Sequence, residues 1–365
     1  MRSWLEVSLG RIRGNYRAVR DHVNDSADHP IDVMPVVKAD AYGHGAFEVA
    51  RVLEDEGARW LAVSNVEEGV FLRRAGIHGR VLVMADFLPE SRPALEEFGL
   101  TPVVHSLDDL KQVEVPYHLK IDSGMGRLGT RAEAAEIAAA VASNPSTLEG
   151  VMTHFASSAN FDSRQTEEQI EHFEIILAAL RASGHAPRYV HASSTNSIAY
   201  RRRNAWGNLV RPGHAIYGYV SSAKGAPRAQ LEVHPALSWK ATVLAINTVP
   251  AGARIGYGGI HTAERPMRTA ILAVGYADGL PHRLGNRGQV IVNGKFAPVI
   301  GAVSMDLTTI DATDCPELKI GDAVLLLGEQ GGISINAQQM ARMAGTISYS
   351  VLCGINPRVK RVYVD

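Results

Sequence analysis

The chain has 365 residues, 46% of them hydrophobic, with 37 Lys+Arg against 38 Asp+Glu and a net charge of -1. That length accommodates two domains with sizeable cores, and the near-neutral balance speaks against a nucleic-acid partner or an anionic membrane surface. No apolar run approaches the roughly 20 residues that cross a bilayer, and Glu6 falls where a signal peptide would be apolar. Only two cysteines occur, Cys315 and Cys353, which fits a cytoplasmic location without a disulfide framework. The 14 histidines show no ligand spacing, so no metal is expected.

In chain order, residues 5–9 alternate and read as a first strand. Short apolar runs follow at 33–37, 61–64, 81–84, 102–105, 118–121, 151–155, 189–192 and 209–210. Stretches such as 66–75, 131–142 and 166–182 lie between them, with apolar residues at helical spacing and acids near their starts. Strand alternating with helix predicts an α/β fold with a parallel sheet, and eight such units over roughly 200 residues predict a (β/α)8 barrel. Pro35 disturbs the first run, because proline interrupts a ladder. The small, turn-rich stretch 221–227 marks a boundary. The barrel is expected over 10–225. A C-terminal antiparallel β domain is expected over 231–365, joined by the N-terminal strand 1–9. Its strands are expected near 237–249, 268–274, 289–292, 296–300 and 323–327.

Two strings carry candidate chemistry. Val36-Val37-Lys38-Ala39-Asp40-Ala41-Tyr42-Gly43-His44-Gly45 ends an apolar run on a lysine and follows it with an aromatic, two glycines and a histidine. A half-buried lysine can become a nucleophile, and glycines let backbone approach a ligand. By itself, Lys38 reads as a lysine snorkelling from a strand end. The second string, Gly124-Met125-Gly126-Arg127-Leu128-Gly129, is a literal G-x-G-x-x-G, and Glu149 stands 20 residues past its last glycine. This pattern belongs to dinucleotide-binding turns and makes an NAD-dependent oxidoreductase the competing class. Lys120 and Asp122 in the preceding strand, the position in the fifth unit and Arg127 inside the loop weaken it.

The string around Lys38 closely resembles the pyridoxal-phosphate (PLP) attachment segment of alanine racemases. Gly275-Tyr276-Ala277-Asp278-Gly279 is a second match, and the resemblance extends from Lys38 to Tyr349. It implies a PLP-dependent enzyme that interconverts L- and D-alanine as a homodimer with shared active sites. Lys38 would hold PLP as a Schiff base and move a proton on one face of the substrate Cα. Tyr276 would reach across from the partner subunit to serve the other face, since inversion needs separate groups on opposite sides. His154 would hydrogen-bond that tyrosine and contact Arg211, and Arg211 would donate to the pyridine nitrogen. An arginine keeps its own proton, so the ring nitrogen would stay neutral and side reactions would be suppressed.

The phosphate would be held by Tyr42, Ser194, the backbone of Gly213 and His214, and Tyr349. The family stretch His-x-x-Asn-Ser meets His191-Ala192-Ser193-Ser194-Thr195-Asn196-Ser197 here. Ungapped register favours Thr195 as the phosphate hydroxyl; a shifted register would use Asn196 and Ser197. Arg127 would face the substrate carboxylate, positioned by Lys120, which is often carbamylated in the family. Met305, in Ser304-Met305-Asp306, matches a partner-subunit segment whose backbone N–H binds that carboxylate. Without the resemblance, Tyr276 and Met305 read as packing residues, His154 as a core histidine and Arg211 as a surface ion-pair residue. A serine or broad-specificity racemase of the same fold, and a peptidoglycan-building or a catabolic role, remain open at this level.

Overall fold

The computed structural model describes residues 1–25, 27–225 and 231–365. They form one unit of Arg11–Ala41 and Ala46–His234 and another of Met1–Gly10, Tyr42–Gly45 and Pro235–Asp365. Of the expected boundary stretch 221–227, residues 226 and 227 lie outside the described residues.

After β1 (Ser3–Ser8) and α1 (Leu9–Asn24), the first unit alternates as the sequence predicts. Its elements are β2 (Asp32–Val33), α2 (Lys38–Gly43), α3 (Ala46–Asp55), β3 (Trp60–Val63), α4 (Val66–Arg74), β4 (Arg80–Val83), α5 (Arg92–Glu97), β5 (Thr101–Val104), α6 (Leu107–Leu110), β6 (Tyr117–Lys120), α7 (Ala134–Ser143), β7 (Leu148–Met152), α8 (Gln165–Ala182), β8 (Tyr189–His191), α9 (Thr195–Ala199) and β9 (Leu209–Val210). Strands β3 to β8 form a parallel sheet in sequence order, and β2 pairs with β9. Single parallel bridges, Val36 to Ala62 and Ser194 to Arg211, join the two pieces into a barrel. Strands β3, β5 and β6 are buried along their whole length, as parallel strands under helices must be.

Pro35 has a place in this ring. The N–H groups of Asp32, Met34 and Val36 donate towards β9. The residues between them face β3, where Val37 donates to the Ala62 carbonyl and the Pro35 carbonyl accepts from Ala62 N–H at 2.9 Å. Proline thus forfeits one donor on the β3 side and keeps its acceptor, and the regular strand is cut short at Val33.

The turn carrying Lys38 is left-handed. Ala39, Asp40, Ala41 and Tyr42 have φ of 53°, 52°, 52° and 55°, and Gly43 follows at 80°. Four consecutive non-glycine residues in this region cost roughly 1–2 kcal/mol each. Hydrogen bonds from Ala39 N–H to Glu68 Oε1 and from Ala46 N–H to Asp40 Oδ1, both 2.7 Å, hold the turn.

The second unit contains β10 (Leu237–Val249), β11 (Arg254–Ile255), β12 (His261–Thr262), β13 (Met267–Leu272), β14 (Gln289–Val292), β15 (Lys295–Pro298), β16 (Thr308–Asp311), β17 (Ala323–Gln330), β18 (Ile333–Ile335), α10 (Ala337–Ala344), α11 (Ser348–Cys353) and β19 (Lys360–Val364). Its main sheet runs β15-β14-β17-β10-β1-β19, and β13 links β10 to β16. The N-terminal strand joins as expected, antiparallel to β10. Its other edge pairs with β19 in parallel, so the sheet is mostly rather than wholly antiparallel. Helices α10 and α11 also depart from the all-β expectation. Asn336 and Gln339 form a capping box ahead of the buried Ala337, Met340, Ala341 and Ala344.

Ala41 is fully buried at φ 52°. Ala41→Val puts a β-branched residue where the left-handed region is hardest to reach, and should cost about 2 kcal/mol. Urea unfolding measures this; an unshifted midpoint would contradict a left-handed turn.

Candidate active site

In parallel barrels the chemistry sits at the C-terminal strand ends. Lys38 follows the first strand, Lys120 ends β6, His154 follows β7, Ser194 and Thr195 follow β8, and Arg211 follows β9. The topology therefore gathers these six residues at one end of the ring.

Their charges act on one another. Burial, then Arg127 and Arg211, push the Lys120 amine down to about 8, with Asp122 opposing and Lys38 adding to the effect. Burial, then Arg211, Lys120, Arg127 and Lys38, push His154 down to about 3. Asp122 cannot neutralise this group freely. Its Oδ1 accepts from the backbone N–H groups of Gly124, Met125 and Gly126 at 3.2, 2.9 and 2.9 Å, and its Oδ2 takes Arg131 at 2.7 Å. The same contacts dispose of the dinucleotide reading. The N–H groups that would cradle a pyrophosphate are occupied by a carboxylate, and α7 begins only at Ala134. Glu149, cast there as a ribose ligand, is paired with Arg80 instead.

Arg211 is buried and surrounded by oxygen acceptors. It donates to the carbonyls of His191 (2.8 Å), Thr153 (2.8 Å) and Ala192 (3.2 Å) and to His191 Nδ1 (2.7 Å); His154 Nδ1 lies 3.4 Å away. Burial pushes it down to about 9, so it stays charged at neutral pH. The expected contact between His154 and Arg211 is present.

Thr195 Oγ1 accepts from Gly213 N–H at 3.2 Å and Ala215 N–H at 3.1 Å. The Thr195 hydroxyl thus lies against the backbone N–H of Gly213, one of the expected phosphate donors, and of Ala215. Asn196 instead accepts from Ser221 N–H, and Ser197 is fully buried, its carbonyl taking the Trp206 indole N–H. His214 is buried and stacks on Tyr219 at 4.8 Å. Among the described residues no His, Cys, Asp or Glu cluster could hold a metal ion.

In the second unit the Tyr42 and Tyr349 rings are 6.0 Å apart. Tyr276 and Met305 sit on two loops stitched by Tyr276 N–H to Ser304 O and Ala277 N–H to Met305 O, both 3.0 Å. Arg358 binds Asp278 on one loop and Asp306 on the other, each at 2.7 Å. Tyr276 is 45% exposed, with its ring 6.1 Å from His282. Tyr257, between β11 and β12, is 77% exposed and lies among Gly256, Gly258 and Gly259, all at positive φ.

His105 is pushed down to about 4 by burial and then by Lys120, and His154 lies near 3, against an ordinary value of 6.5. A histidine kept neutral in the fold takes up a proton on unfolding once the pH is below its unfolded value. Stability is therefore whole above about pH 6.5 and drains away as the pH falls towards 4 and 3. Urea midpoints of the full-length protein should decline through this window, and His154→Gln should make the decline shallower; equal declines would show that His154 is not held neutral.

Residues 7–221 match the family model described as alanine racemase, N-terminal domain, and residues 236–363 match alanine racemase, C-terminal domain. The alanine racemase of Carboxydothermus hydrogenoformans is 40% identical over 372 residues, covering 99% of each chain. The crystal structure of alanine racemase from Bacillus anthracis with bound L-Ala-P is 32% identical, with a TM-score of 0.90 over 100% of this chain and 95% of that one. The structure of alanine racemase from Bartonella henselae with covalently bound pyridoxal phosphate is 26% identical, with a TM-score of 0.86 and both chains fully covered. The chain belongs to the alanine racemase family.

Proposed function

We propose that this protein interconverts L- and D-alanine with PLP, in the cytoplasm, as a homodimer whose subunits complete each other's sites. One observation carries the reading: the cations Lys38, Lys120 and Arg211 stand with the buried His154 at the C-terminal ends of the barrel strands. Such a concentration of cations calls for anions, and a phosphate and a substrate carboxylate supply them. The two cysteines are free, as a reducing compartment leaves them. Residues 10–225 form the PLP-binding domain in this reading, and 231–365 with 1–9 form the second.

When bound, PLP supplies an electron sink that loosens the substrate Cα proton. The chain's residues do the rest. Lys38 would hold the cofactor and move a proton on one face. Arg211, a donor that does not give up its charge, would donate to the ring nitrogen and leave it unprotonated. The resemblance assigns the phosphate to Tyr42, Ser194, Thr195, Tyr349 and the backbone of Gly213 and His214. Arg127 and the backbone at Met305 take the substrate carboxylate.

The second face needs a tyrosine offered by the partner subunit. Tyr276 and Tyr257 both meet that requirement, and a residue that must enter a neighbour's site has to project from its own. Both are exposed, and the matching string Gly275-Tyr276-Ala277-Asp278-Gly279 assigns the role to Tyr276. His154, held neutral, can accept a hydrogen bond from that tyrosine.

Lys38→Ala should lose the borohydride-trappable lysine adduct, and a surviving adduct would refute its role. Tyr276→Phe should keep the PLP absorbance and lose racemisation; loss in Tyr257→Phe with Tyr276→Phe unaffected would move the role to Tyr257. Mixing inactive Lys38→Ala and Tyr276→Phe proteins should restore activity through hybrid dimers with one intact site. No recovery after subunit exchange would rule out shared sites.

Lys120 completes the proposal. Its amine, at about 8, has a larger neutral fraction at neutral pH than an ordinary lysine. A neutral amine captures carbon dioxide, and the resulting carbamate turns a cation repelling Arg127 into an anion that holds it. Carbon-13 bicarbonate should give a carbamate signal that Lys120→Met abolishes; a silent spectrum of the active protein would exclude the modification.

A further inference from the structure

The roles assigned so far leave His118, His191 and Glu149 unused, and the three lie in one line through the barrel core. Arg211 Nη1 is 2.7 Å from His191 Nδ1, and His191 Nε2 is 2.7 Å from His118 Nδ1. His118 Nε2 lies 3.8 Å from Glu149 Oε2, an ion-pair rather than a hydrogen-bond distance. Glu149, near the start of β7, also binds Arg80 at the start of β4, and Arg80 lies 4.0 Å over the Trp60 ring. The line thus runs from the N-terminal strand ends to Arg211 at the other mouth.

Donor and acceptor chemistry fixes every proton along it. A guanidinium only donates, so His191 Nδ1 must accept and its proton sits on Nε2. That N–H donates to His118 Nδ1, which places the His118 proton on Nε2, facing Glu149. Burial and then Arg211 hold His191 well below its ordinary value, which keeps it neutral. Burial lowers His118 as well, with Glu149 opposing. Burial raises Glu149, but His118 and Arg80 outweigh it and bring the carboxylate to about 2. The sequence makes room for the line at Gly150, where a Cβ would sit 2.6 Å from the His118 ring. Trp60 and Tyr189 enclose that ring at 5.4 and 5.9 Å.

We infer that Glu149 and His118 are positioning residues for Arg211, acting through His191. Glu149 selects the tautomer at His118, His118 selects it at His191, and Arg211 then meets an acceptor that fixes its guanidinium at the mouth. The catalytic consequence rests on the proposed contact of Arg211 with the cofactor ring; the tautomers do not.

Nitrogen-15 NMR of the histidine side chains in the full-length, PLP-loaded protein reads the tautomers. Nε2–H at both His118 and His191 supports the relay, and Nδ1–H at either overturns it. In Glu149→Gln the amide can donate to His118 Nε2 and reverse the line. The expected result is a second tautomer at His191 and a kcat lower by roughly tenfold or more at unchanged KM, largely recovered in Glu149→Asp. A folded Glu149→Gln protein with parental tautomers and kcat overturns the positioning role; if that variant does not fold, the parental tautomers decide. A protein that racemises with other tautomers refutes the relay alone. One with these tautomers but no PLP absorbance refutes the proposed function alone.

Discussion

Burying a guanidinium with no carboxylate against it is the constraint on which the rest of the first unit depends. Removing such a charge from water is costly unless hydrogen bonds replace the lost hydration. The barrel supplies them from its own backbone. The carbonyls of Thr153, His191 and Ala192, which end or follow β7 and β8, all accept from Arg211. These are strand-end carbonyls at the mouth of the ring, so the fold itself makes the cation hole. Burial, and then this fixed charge, keeps the imidazoles of His154 and His191 neutral. Neutral imidazoles can each offer one donor and one acceptor, and a directional line through the core becomes possible.

The left-handed turn at Lys38 is a second constraint of a different kind. Its strain is comparable to a large part of a domain's net stability, yet it is compensated locally. Glu68 accepts from Ser64 N–H and Ala39 N–H through its two oxygens, tying the turn to the start of α4. Asp40 binds the first residue of α3. Backbone held this way has little freedom to relax, which suits a residue whose amine must stay at one point.

Much of this was legible in the sequence because period and burial are. The eight runs became the eight barrel strands with ends shifted by a few residues, and the N-terminal strand found its place in the second unit. Around Thr195 the sequence left two registers open, and the burial of Ser197, whose carbonyl takes the Trp206 indole N–H, could not be read from spacing. The handedness of 39–42 was not, since no glycine precedes Gly43 to signal positive φ. The exposure of Tyr257 was not legible, although three glycines marked the hairpin. Glu149 was read by its distance from a glycine motif. Its actual partners, Arg80 and His118, stand on β4 and β6, and spacing along the chain cannot reveal a partner across a barrel.

The charges at the mouth divide into two kinds, and the division bears on mechanism. Arg211 remains charged through the neutral range, whereas the imidazoles of His105, His154 and His191 remain uncharged through it. The field around the proposed ring-nitrogen contact therefore changes little with pH near neutrality. Lys120, held at about 8, is the exception. Its conversion to a carbamate would remove a nearby group that titrates close to neutral pH. In the proposed reaction the site would then have fixed charges around a proton leaving one face of the substrate and a proton arriving at the other. A fixed environment of this kind stabilises a developing carbanion without reorganising as it forms.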